Sequence, residues 1–205
     1  MLPASIKNVV AMTVHDDPME RFDAAFERAR EFESFEPTLA ALASVGAQGQ
    51  PSVRFVLVNV VDGRGFCFFT NYGSRKAGEL LTNPRASLAY HWTSIGEQIR
   101  IEGQVEKVSE EESDAYFAQR PRGSRIGAWA SDQSRPLESY ATLQRKFHSL
   151  KEGFGSGDVP RPEYWGGYRL VPSKVEFWLD RPDRLHERYL YVRGEQGWHR
   201  QQLQP

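Results

Sequence analysis

The sequence predicts a mainly β fold with flanking helices: an antiparallel barrel whose strands are joined mostly by short turns and whose ends carry helices. Three observations carry this reading. Seven or eight short strand-like runs are interrupted by three or four helical runs, so the strict alternation of a parallel fold is missing. Residues 54–61 and 65–70 flank an Asp-Gly turn signal and form a hairpin. Residues 97–108, EQIRIEGQVEKV, alternate cleanly, with Ile99, Ile101, Gly103 and Val105 facing inward and Gln98, Arg100 and Glu102 on the other side.

Taken in order, residues 1–16 show no clear period and form an arm ahead of a single domain over 17–205. Asp16, Asp17 and Pro18 start a helix, since acidic caps and a first-turn proline suit a helix N-terminus. Met19, Phe22, Phe26 and Ala29 make its apolar face, and Glu20, Arg21, Asp23, Glu27 and Arg28 take the other, with Pro37 as the stop. Residues 39–45 form a strand that leads into the hairpin. Ser74 caps a helix running through Leu81, Asn83 and Pro84 break the chain, and 86–92 is a strand. Ser109 and Glu112 make a capping box for a helix over 110–119, which Pro121 ends. Residues 116–134 read as helix, turn, short helix and polar loop. Residues 139–151 form an amphipathic helix, and 153–162 a Gly and Pro linker over the surface. Strands at 168–171, 175–179, 190–193 and 198–203 complete the chain.

Composition narrows the function. A formal net charge of −1 argues against a protein that holds nucleic acid through a global positive field. Yet 20 of the 26 basic residues are Arg, whose planar fork grips phosphate and carboxylate in a bidentate way that Lys cannot. The single Cys, Cys67, excludes a disulfide framework and reads as a small apolar core residue in a reducing compartment. No signal pattern and no long apolar run is present, so the expected location is the cytoplasm, with no membrane contact.

No metal site is expected, because the five His, at 15, 91, 148, 186 and 199, lack ligand spacing. No G-x-S-x-G elbow, G-x-G-x-x-G or Walker A sequence occurs. What remains are anion-binding groups. Arg54, Arg75 and Lys76 gather at a hairpin and a helix start, where free backbone amides also point. Arg120 with Ser124, and Arg184 with His186 and Arg188, follow. More than one such cluster suggests two phosphorylated groups.

These residues lie in motifs that closely resemble the pyridoxamine 5′-phosphate oxidases: TNYGSRKAGEL, NPRASL, EGQVEKVSEEESDAYFAQRPRGSRIGAWAS, VPRPEYWGGYRL, and EFW followed by RLHER. The resemblance covers about Asp17 to the C-terminus. It implies an FMN-binding split β-barrel, a homodimer with the flavin between subunits, and oxidation of pyridoxamine or pyridoxine 5′-phosphate by O2 to pyridoxal 5′-phosphate and H2O2. By that resemblance Arg54, Arg75 and Lys76, with Ser74 at the helix start, hold the FMN phosphate. Phe55, Val56, Leu57, Phe69 and Thr70 line the flavin, and Gln98, Gln133, Ser134, Trp178 and Arg188 complete the cofactor site. Tyr116, Arg120 and Ser124 meet the substrate phosphate. Arg184 and His186 lie over the substrate ring as the expected catalytic pair.

Some positions depart from the family pattern. Asn59 stands where the family usually has a Lys that contacts the substrate phosphate, and loss of one charge-assisted bond weakens binding by roughly 1.5 to 3 kcal/mol. Phe69 replaces a usual Tyr, Glu187 a usual Asp, and Leu179 a common Gln. The arm lacks the Arg and Tyr pattern that covers the substrate in some members. Two alternatives stay open: a related flavin oxidase with another substrate, as in phenazine biosynthesis, and a non-catalytic flavin or pyridoxal phosphate binder. Retention of Tyr116, Arg120 and Ser124 weighs against the first, and of Arg184 with His186 against the second.

Overall fold

The computed structural model describes residues 17–205, so the expected arm lies outside the described residues. Helix α1 (Pro18–Phe32) begins where the sequence places it, with Asp17 Oδ1 accepting from the Met19 amide at 2.7 Å. Its stop is not Pro37, for the helix ends at Phe32. Eight strands follow: β1 (Leu39–Val45), β2 (Pro51–Asp62), β3 (Gly65–Asn71), β4 (Arg85–Trp92), β5 (Glu97–Lys107), β6 (Trp165–Leu179), β7 (Glu187–Gly194) and β8 (Gly197–Leu203). All neighbours are antiparallel in the order β3-β2-β1-β4-β5-β6-β7-β8, and β3 also pairs with β6. That extra pairing closes β1 to β6 into a barrel and leaves β7 and β8 as a flap on β6.

Alternation decides what the barrel holds. Ile99 and Ile101 are fully buried, Val105 nearly so, and they pack with Leu42, Leu88, Phe66 and Phe177. Phe22 of α1 plugs the barrel, its ring 4.9 Å from Phe66 and 5.3 Å from Tyr90 in edge contacts. Cys67 is buried as expected. Arg21 is a correction: it is not on the solvent face of α1 but 5% exposed, its guanidinium 4.4 Å from the Phe177 ring centre and 4.6 Å from that of Tyr189. An aromatic surface accepts a guanidinium face-on, which a charge-based helix pattern does not reveal.

A second correction concerns β6. The sequence reads as two strands, 168–171 and 175–179, split by Pro172, whereas the chain forms one strand of 15 residues. Pro172 is accommodated because the register against β5 shifts there: Glu102 faces Lys174 and Gly103 faces Pro172, so Ser173 is bulged out. Ser173 Oγ then donates to the Glu102 carbonyl at 3.1 Å.

Five α-helices are present among the described residues, more than the three or four expected, because 122–130 is a full helix. Helix α2 (Arg75–Thr82) follows β3, and α3 (Glu110–Gln119), α4 (Arg122–Ala130) and α5 (Tyr140–Phe154) fill the long connection from β5 to β6. Ser74 caps α2, and Ser109 with Glu112 forms the expected capping box of α3. Helix α5 buries no residue of its own, so its apolar stripe does not face the barrel. The 153–162 linker is strapped to α4, with Arg122 donating to the carbonyls of Gly155 and Gly157 and Trp129 to that of Pro160. Among the described residues no helix is long and apolar enough to cross a membrane.

A Cβ added at Gly103 would sit 2.0 Å from the Val171 carbonyl oxygen at the bulge. Gly103→Ala should therefore destabilise the fold by more than about 2 kcal/mol and lower Tm by roughly 5 °C or more in a thermal melt.

Candidate functional site

Where β2, β3 and α2 meet, three cations converge on one carboxylate. Arg54, on β2, donates to Glu79 Oε2 at 3.0 Å and to Ser44 Oγ, Ser52 Oγ and the Leu42 carbonyl. Arg75, in the first turn of α2, donates through Nε to Glu79 Oε1 at 2.8 Å. Burial opposes charge on Glu79, but bonds from Ser44, Ser52, Arg75 and Arg54 outweigh it and hold the carboxyl down at about 2. Lys76 has no carboxylate of its own: Nζ lies 3.0 Å from Thr70 Oγ1 and 2.9 Å from Gln133 Oε1. Burial, and then the nearby Arg54 charge, lower its pKa to about 8. The start of α2 has no acidic residue in its first turn, so its amides and cations form an electropositive cradle.

From the cradle a cleft of about 540 Å³ runs between β2, β3 and the α3–α4 corner. Its lining includes Arg54, Phe55, Val56, Leu57, Asn59, Phe69, Thr70, Lys76, Tyr116, Arg120, Ser124 and Gln133, twelve of the residues expected at the site. One wall is aromatic: Phe69 stacks on Tyr116 with centroids 3.8 Å apart, and Trp165 stacks on Phe69 at 5.7 Å. At the far end Arg120 caps α3, its guanidinium 4.7 Å from the Trp165 ring centre. Its Nη1 is buried and has no hydrogen-bond partner among the described residues. An unmet buried donor calls for an acceptor from outside the described residues.

Asn59 is placed by a second bulge, for the β2–β3 register shifts between Val58 and Val60. Its amide donates to the Tyr116 hydroxyl, which leaves the phenolic proton for another partner. This end therefore offers one cation, Arg120, and neutral donors.

The remaining expected residues lie elsewhere. Ser74 and Arg75 sit at the base of the cradle, and Ser134, with a left-handed φ of 70°, follows Gln133. Gln98, Trp178 and Arg188 are aligned across β5, β6 and β7. The His186 ring lies 4.3 Å from Trp178, and Arg184 is in the turn before β7. None of these five lines the cleft of its own chain. Four contributors were missed from sequence as site residues: Glu79 in the cradle, and Gln119, Pro121 and Trp165 in the cleft lining. Only Glu79 had a signal, its i+4 spacing from Arg75.

The lowered Lys76 pKa sets a pH dependence. The free amine is charged below about pH 8 and loses its proton above it, whereas a bound phosphate dianion favours the charged form. Phosphate affinity should thus be level between about pH 7, where the phosphate is already dianionic, and about pH 8, and fall by up to about tenfold per pH unit above that. Fluorescence titration of FMN into apoprotein at several pH values checks this; Lys76→Met should bind more weakly and lose the alkaline slope.

Comparison with known proteins gives the family. Residues 25–152 match the family described as pyridoxamine 5′-phosphate oxidase, and residues 165–205 match the pyridoxine 5′-phosphate oxidase C-terminal dimerisation region. The chain is 51% identical over 192 residues to a pyridoxine/pyridoxamine 5′-phosphate oxidase of Burkholderia cenocepacia, covering 92% of this chain and 89% of the relative. A relative of the same name from Rubrobacter xylanophilus is 49% identical over 92% of this chain and 87% of its own. Among solved structures, PhzG from Burkholderia lata in complex with tetrahydrophenazine-1-carboxylic acid superposes with a TM-score of 0.85 at 34% identity, covering 93% of this chain and 94% of that one. Matched by family description along most of its length and by relatives at half identity, the chain belongs to the pyridoxamine 5′-phosphate oxidase family.

Proposed function

We propose that the protein is an FMN-dependent oxidase that converts pyridoxamine 5′-phosphate or pyridoxine 5′-phosphate to pyridoxal 5′-phosphate with O2 as acceptor. The observation that carries this is one aromatic-walled cleft with a cationic pole at each end. The cradle pole combines three cations, one carboxylate and a helix start, and suits the dianionic phosphate of FMN. The Arg120 pole, with the Tyr116 and Ser124 hydroxyls, suits the substrate's phosphate, and the Nη1 of Arg120, unpaired among the described residues, has a bond to offer a ligand. FMN bound there would accept a hydride from the substrate C4′ carbon and deliver the electrons to O2 as H2O2.

The chain's own tasks are then to bind and to orient. Lys76 and Arg54 anchor the cofactor phosphate, and Gln133 ties Lys76 to Thr70 across the cradle floor. Tyr116 and Arg120 fix the substrate at its far end. Gln98, Trp178, Arg184, His186 and Arg188 belong, on this reading, to the cleft of a second copy. Four of these five fall in the span that matches a dimerisation region. The outer face of β2 supports the same assembly, for Val53 and Phe55 are 70% and 71% exposed beside the cleft. Arg184 would stabilise charge near C4′, and His186 would bond the ring or its substituents.

One observation favours a second reading, an oxidase for a different ring system. Asn59 contributes no charge, so a single guanidinium faces the substrate anion, and a carboxylate would be satisfied there as readily as a phosphate. A family member at 34% identity is known in complex with such a carboxylate.

An anaerobic titration with pyridoxamine 5′-phosphate separates the two. The expected outcome is a yellow protein that bleaches on addition and recovers in air; saturation without bleaching would reject the first reading. Arg120→Ala should raise KM by roughly ten- to a hundredfold, the loss of one charge-assisted bond of about 1.5 to 3 kcal/mol, with flavin content unchanged. Arg184→Ala should lower turnover while flavin stays bound, and wild-type turnover would remove its catalytic assignment.

A further inference from the structure

The turn between β6 and β7 is held in an uncommon backbone conformation. Asp183 has φ 59° and ψ 19°, and Arg184 has φ 60°. Among the described residues only Ser134 shares a left-handed φ without being glycine. Each such residue costs about 1–2 kcal/mol, and two in succession persist only when their surroundings over-determine them.

The surroundings do so from both sides. The strands part after Leu179 faces Glu187, the last pair of the β6–β7 ladder. Across that gap Arg181 Nε donates to Glu187 Oε1 at 2.5 Å, joining the two feet of the turn. The other oxygen of Glu187 accepts from the Tyr189 hydroxyl at 2.6 Å, and the Tyr189 ring lies under the buried guanidinium of Arg21. The Arg181 backbone N–H donates to His186 Nδ1 at 3.2 Å. That bond, with Asp180 Oδ1 3.3 Å from the same nitrogen, fixes the plane of the ring, which also leans on Trp178. Inside the turn, the Leu185 amide closes on the Pro182 carbonyl at 3.1 Å.

We propose that the Arg181–Glu187 ion pair is a clamp that holds this turn shut and thereby sets the direction of Arg184 and the orientation of His186. Arg181 and Glu187 are then positioning residues, acting through the pair above them. The inference rests on the oxidase reading, in which Arg184 and His186 work on the substrate. Its reach is local: neither Arg181 nor Glu187 is among the residues assigned to the flavin, so flavin content should not change when the pair is broken.

The test uses the holoprotein and the rate of anaerobic flavin bleaching at saturating pyridoxamine 5′-phosphate. Glu187→Gln should slow bleaching about tenfold or more, with flavin content unchanged. Glu187→Asp, which keeps the charge, should recover most of the rate. In a background carrying both Arg184→Ala and His186→Ala, Glu187→Gln should add less than about a further twofold, because the groups it positions are gone. Additive effects, or a Glu187→Gln protein that bleaches at the wild-type rate, would overturn the clamp alone. If Glu187→Gln does not fold, Arg181→Gln breaks the same pair from its other partner and must show the same non-additivity. A wild-type holoprotein that never bleaches overturns the oxidase reading, and the clamp's role with it.

Discussion

The site depends on one buried carboxylate. Arg54, Arg75 and Lys76 converge at a helix start that is itself electropositive, and at 4 Å in a partly buried setting two like charges repel by about 4 kcal/mol. Glu79 makes the arrangement tolerable. It takes both arginines and the hydroxyls of Ser44 and Ser52, and so ties β1, β2 and α2 to a single point. The arginines are thus immobilised before any ligand arrives, and an incoming phosphate need not spend binding energy on ordering them. Lys76, left without a carboxylate, is the cation that remains responsive.

The opposite end of the cleft is built on another principle. There the charge is single, and position comes from stacked rings: Trp165 beneath Arg120, and Phe69 against Tyr116. Rigid aromatic walls give a planar ligand a slot, while neutral donors leave the chemical identity of its anion loosely specified. On the proposed reading the cleft would discriminate strongly at one end and weakly at the other, with Asn59 on its bulge setting the contrast.

Much of this was legible because it is local. The Asp-Gly hairpin, the Ser74 cap and the Ser109 capping box each write their geometry within a few residues, and all three form as read. The errors lie where a partner across space decides. Pro172 looks like a strand break until the bulge opposite Gly103 is seen, and Arg21 looks solvated until its aromatic neighbours are known. Glu79 was hidden by being one acid among many on helices. Gln98 and Trp178 came only from motif resemblance, and Arg184, His186 and Arg188 stood in the sequence only as a cluster of anion-binding groups, since periodicity does not say that Gln98, Trp178 and Arg188 align across three strands.

The burial of Cys67 has a further consequence. An oxidase that hands electrons to O2 releases a peroxide beside its own barrel at every turnover, and thiolates are the groups peroxide attacks first. The chain has one sulfhydryl, placed in β3 with 1% of its surface exposed, where burial raises its pKa and keeps it protonated. On the proposed chemistry, the fold shields the enzyme's most oxidisable side chain from its own by-product.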